Sequence, residues 1–94
     1  MALFVINATD RPGALETRLA TRDTHLAYLR DQGIVRAAGA FLDAAGNPEG
    51  SMLIVEAETI EAANAFAAND PYALAGVFAS VVVRPWRMAI GAFA

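Results

Sequence analysis

"IVRAAGAFLDAAGNPEGSMLIVEAE", residues 34–58, fills the middle of the chain and decides the fold. "SMLIVEAE" (51–58) has the apolar, β-branched character of a strand. "IVRAAGAFL" (34–42) reads the same way, more weakly because of its alanines and Gly39. The turn-rich "DAAGNPEG" (43–50) joins them, so spacing and turn chemistry predict a β-hairpin.

Working outward on the N-terminal side, "ALFVINA" (2–8) is a short continuous apolar run, read as a buried strand. "TDRPG" then turns the chain, with Pro12 and Gly13 as breakers. Leu15, Leu19, Leu26 and Leu29 recur at helical spacing between Ala14 and Gln32, and Gly33 stops that helix. On the C-terminal side, Thr59 caps a helix from Ile60 to about Asn69 that turns Ile60, Ala63, Phe66 and Ala67 inward. In "NDPYALAG" (69–76), Asp70 stands before Pro71, where helical backbone is disfavoured. It therefore ends one helix and caps a second, short one that Gly76 closes. "VFASVVVRPW" (77–86) is a fourth strand ending near Pro85, with the tail "RMAIGAFA" free to continue it in extended form.

The order strand–helix–strand–strand–helix–strand is the ferredoxin-like α+β pattern, expected as one domain over residues 1–94. Two helices cover one face of its sheet. Yet "LFVI", "MLIV" and "SVVV" are apolar on both alternating faces, as doubly buried strands are. An uncovered apolar face of that width is unusual on a monomer, so a homodimer with its sheets face to face is expected.

Composition narrows the function. Apolar residues make up 56% of the 94, yet no run approaches the ~20 needed to cross a bilayer. "MALFVINATDRPG" lacks the basic segment and long apolar stretch of a signal peptide, so a cytoplasmic protein without membrane partners is expected. Absence of cysteine excludes disulfides and thiolate chemistry. The net charge of −3 argues against nucleic acid as a partner. All seven basic residues are arginine, so Schiff-base and phosphate-loop lysines are excluded too. A single histidine without an acidic cluster predicts no metal site, and no cofactor motif is present.

The chemistry-bearing residues are few. On a wheel started at Leu15, the leucines fall near 320–40°, while Arg18, Arg22 and His25 fall at about 300°, 340° and 280°. They form one ridge beside the apolar stripe. The arginines there either snorkel to water or line a cavity, and His25 is either a satisfied histidine or a working one. Side-by-side helices would let Asp70 reach His25, fix its tautomer and leave the other ring nitrogen for a substrate proton. Asp70 is then both cap and partner. Ser51 and Tyr72 are further candidate donors to a ligand, with turn and packing roles as the alternatives. Trp86, between Arg84 and Arg87, reads as an interface or core aromatic rather than a base-stacking one.

"R-x-x-H-L-x-Y-L" (Arg22, His25, Leu26, Tyr28, Leu29), "A-x-G-A-F", "G-S-M-L-I-V-E", "A-N-D-P-Y-A-L-A-G-V-F" and "V-V-V-R-P-W" resemble the YCII-related proteins over nearly the whole chain. The resemblance implies a dimeric α+β barrel, an intracellular bacterial protein, and an active site centred on a histidine–aspartate pair, here His25 and Asp70. Ring-cleavage and dehydrochlorination roles of some relatives do not transfer by fold. Two functions are expected. The first is an enzyme of isomerase or lyase type on a small anionic or aromatic substrate, with His25 as acid/base, Asp70 orienting it, and Arg22, Arg18, Ser51 and Tyr72 binding. The second is a non-catalytic homodimeric module that binds a metabolite in the same pocket.

Overall fold

A computed structural model describes residues 1–93. The elements are β1 (Ala2–Asp10), α1 (Leu15–Gln32), β2 (Val35–Leu42), β3 (Pro48–Ala57), α2 (Ile60–Ala68), α3 (Pro71–Leu74) and β4 (Phe78–Trp86). The sheet order is β2-β3-β1-β4 and every neighbouring pair is antiparallel. The chain therefore has the βαββαβ α+β fold, with β1 and β3 at the centre.

Register sorts the strand residues by face. Phe4 is opposite Val55, Ile6 opposite Leu53 and Ala8 opposite Ser51, so these six share the face under the helices. Phe4, Ile6, Leu53 and Val55 pack with Leu29 of α1 and Ala63, Phe66 and Ala67 of α2. The other face carries Val5 opposite Ile54 and Arg84, Asn7 opposite Met52 and Val82, and Leu3 opposite Glu56 and Trp86. It is mostly apolar and partly open: Met52 is 39% exposed, Val82 53% and Trp86 38%.

The helix ends follow their local chemistry. Thr59 accepts from the Ala62 amide at 3.1 Å, and Gly33 ends α1 in the left-handed region at φ 71°. Asp70 sits in extended backbone, caps α3 through the Tyr72 amide, and has Pro71 directly after it. The hairpin turn is held by Asp43, whose Oδ1 accepts from the amides of Ala45 and Asn47, both at 2.9 Å.

Three expectations are corrected. β1 runs on to Asp10 and β3 starts at Pro48, because Thr9 pairs with Gly50 and the ladder outlasts the turn residues. Proline is tolerated as a strand's first residue. The tail from Arg87 to Phe93 is irregular rather than extended strand. The inward face of α1 is not the leucine stripe: Arg18, His25 and Leu29 are buried, whereas Leu19 is 56% exposed. Its true centre lies near 300° on the wheel used above, displaced toward the charged ridge.

Candidate active site

That displacement creates the site. α1 leans its arginine–histidine ridge over the sheet and leaves Leu19 and Leu26 facing the edge strand β2. Between them lies a cleft of ≈ 370 Å³, with Ala38, Ala40 and Leu42 on the strand side and Ser51 and Tyr72 among its other lining residues. β2 walls it with small side chains and contributes little to the core.

His25 is 6% exposed and lines this cleft. Its Nδ1 donates to Asp70 Oδ1 at 2.8 Å. The same oxygen accepts from the Tyr72 amide at 2.9 Å, so one carboxylate oxygen caps α3 and holds the imidazole. Asp70 is 1% exposed, and its Oδ2 has no hydrogen-bond partner among the described residues. With Nδ1 engaged, Nε2 is the ring nitrogen left to meet a ligand.

Tyr72 stacks on His25, with ring centroids 3.9 Å apart and planes at 19°. The Arg18 guanidinium carbon lies 4.4 Å from the Tyr72 ring centre, a cation–π contact. Burial is the largest influence on the Tyr72 hydroxyl and raises its pKa above the ordinary value. Arg18 and Arg22 pull it down and Asp70 pushes it up. Tyr72 therefore stays a protonated donor through neutral pH. Tyr28, whose hydroxyl donates to the Phe66 carbonyl at 2.9 Å, is also raised, by burial first and then by Asp70.

Arg18 is 3% exposed and heavily engaged. Nε donates to Asp10 Oδ2 at 2.7 Å, Nη2 to Asp10 Oδ1 at 3.0 Å, and Nη2 also to Ser51 Oγ at 2.6 Å. Ser51 accepts from Arg18, so its own proton is free to point elsewhere. Arg22 is exposed at the cleft, with no carboxylate in ion-pair range among the described residues.

All six residues singled out from the sequence, His25, Asp70, Arg18, Arg22, Ser51 and Tyr72, thus meet around one cleft, with Asp70 just behind its lining. Asp10 was missed, having been read as part of a turn. The period-2 series Phe4, Ile6, Ala8 continues to Asp10 and would have placed it on the helix-facing side. Trp86 lies on the opposite sheet face, across from Leu3. Among the described residues, no group of three or more His, Asp or Glu side chains is arranged to hold a metal ion, and no helix is long and apolar enough to cross a membrane.

The four-stranded antiparallel sheet with its helices on one face places the chain in the ferredoxin-like α+β class. The chain belongs to the YCII-related domain family, whose model matches residues 2–87. It is 40% identical over 94 residues to the protein YciI of Escherichia coli O6:H1, spanning 90% of this chain and 96% of that one. An uncharacterised Haemophilus influenzae protein is 40% identical over 96 residues, at 89% and 95% coverage. Among solved structures, 5-chloro-2-hydroxyhydroquinone dehydrochlorinase from Burkholderia phenoliruptrix AC1100, in complex with 2,5-dihydroxybenzoquinone, superposes with a TM-score of 0.84. It is 37% identical, covering 90% of this chain and 93% of its own. An antibiotic biosynthesis monooxygenase, 14% identical with a TM-score of 0.59, shares the fold alone.

Proposed function

We propose that the α1–β2 cleft is the active site of a lyase- or isomerase-type enzyme for a small hydroxylated, anionic or aromatic substrate. The observation that carries this is the buried 2.8 Å contact of His25 Nδ1 with Asp70 in a cleft that His25 itself lines. His25 Nε2 takes a proton from a substrate hydroxyl, and Asp70 steadies the imidazolium that forms. Arg22 and the Ser51 and Tyr72 hydroxyls meet the oxyanion, while Arg18 holds Ser51 and Tyr72 in place. In the keto tautomer of a halogenated hydroxy ring, removal of that proton lets the oxygen's electrons re-form a carbonyl as halide leaves the saturated carbon. The balance is loss of HX, with the proton on His25 and the halide in solution. The solved relative that acts on a chlorinated hydroxyhydroquinone supports this substrate class.

The test is turnover of a panel of halogenated hydroquinols, followed by halide release. We expect halide from at least one member. Tight binding across the panel with no turnover would instead favour a metabolite-binding module.

The protein acts as a cytoplasmic homodimer in this reading, paired through the open sheet face around Val5, Met52, Ile54 and Val82. Sedimentation at micromolar concentration is expected to give a dimer, and Val82→Asp to shift it toward monomer, because a carboxylate buried between the sheets loses its hydration. A wild-type monomer there removes the assembly without touching the cleft chemistry.

A further inference from the structure

The cleft does not end at His25. Leu26 and Ala38 line it and also line a second hollow of ≈ 330 Å³, farther along the same α1–β2 seam. That hollow continues over Leu29 and Val35 to Arg30 and Arg36. The two hollows therefore adjoin along one seam, with Leu26 and Ala38 as the shared waist between them.

Charge is distributed unevenly along it. The chain carries ten acidic and seven basic residues, yet the charged residues lining the two compartments are Arg18, Arg22, Arg30 and Arg36, with no carboxylate. Two of these arginines are already occupied: Arg18 by Asp10, and Arg36 by the Gly33 carbonyl at 3.2 Å and Glu56 at 3.4 Å. Arg30 is exposed and has no carboxylate in ion-pair range among the described residues. Its place in the last turn of α1 complements the helix dipole, but that requires only a cation and no apolar passage leading to it. His25 and Arg30 are five positions apart, about 7.5 Å along the helix axis and about 140° around it, so a ligand meeting both spans more than that rise. A ring carrying a short alkyl chain has that reach.

The geometry points to a ligand in two parts: a hydroxylated ring at His25, and an apolar arm crossing the waist to end in a carboxylate at Arg30. This rests on the reading of the first compartment as the ring site. It adds that the natural substrate is longer than a single ring and anionic at its far end.

Titration calorimetry on the wild-type protein with hydroquinone and with 4-(2,5-dihydroxyphenyl)butanoate tests it, the ratio of the two affinities being the readout. We expect the tailed probe to bind at least about two- to fivefold tighter, the range that one exposed Arg–carboxylate pair allows. In Arg30→Gln the ratio should fall by about two- to fivefold, and in Ala38→Phe, which fills the waist, it should fall as well. A wild-type ratio near one, or one unchanged in Arg30→Gln, overturns the second compartment and leaves the ring site standing. Failure of both probes to bind overturns the ring site and this extension together.

Discussion

Asp70→Asn is expected to lower kcat by about 10²–10⁴-fold while leaving the fold nearly intact. The asparagine carbonyl can still accept from the Tyr72 amide and from His25 Nδ1, as Asp70 Oδ1 does at 2.9 and 2.8 Å. What disappears is the negative charge that steadies the imidazolium once His25 has taken a proton. Asp70→Ala separates the two roles: it also removes the α3 cap and strands a buried N–H, together costing about 1–3 kcal/mol. His25→Ala should match Asp70→Asn in lost turnover. KM should change little in either, since Arg22, Ser51 and Tyr72 remain. Thermal melts and halide-release kinetics on the three variants separate these effects. Wild-type turnover in both His25→Ala and Asp70→Asn would remove the acid/base role.

Asp10→Ala is expected to have the largest effect on stability, about 3–5 kcal/mol, because it leaves the Arg18 guanidinium buried without its counter-charge. The two side chains are only 4% and 6% exposed, and the pairing is bidentate. For a chain of this length each kcal/mol lowers the melting temperature by about 4–8 °C, so calorimetry would read a fall of tens of degrees. The double variant Asp10→Leu with Arg18→Met should recover most of that loss, since an apolar pair of similar volume is often as stable as a buried ion pair. It would still lose activity, because Arg18 also holds Ser51 and lies on the Tyr72 ring. A single-variant cost below about 1 kcal/mol would show that the pair is solvated.

The sheet and its topology were legible because the hairpin at 34–58, the Thr59 cap and the Asp70–Pro71 break are encoded in neighbouring residues. The helix wheel succeeded and failed at once. It found Arg18, Arg22 and His25 on one ridge, but it centred the core on the leucines, because it weighs hydropathy and cannot see that a buried guanidinium has a carboxylate waiting. Asp10 is that carboxylate, eight residues from Arg18 and across a turn. Contacts of that kind depend on how far β1 extends, which the ladder with β3 decides. The His25–Asp70 contact joins residues 45 positions apart, and it was reached by combining the fold with the resemblance rather than from spacing.

β2 is an edge strand, bonded on one side only to β3, and none of its residues is fully buried. The side chains of Ala38, Ala40 and Leu42 that wall the cleft are thus separate from the core cluster, although the strand's backbone is tied to β3 at seven paired positions. Drift in Ala38, Ala40 or Leu42 can widen, narrow or recharge the chamber at little thermodynamic risk. In the enzyme proposed above, substrate preference is free to diverge through that one strand.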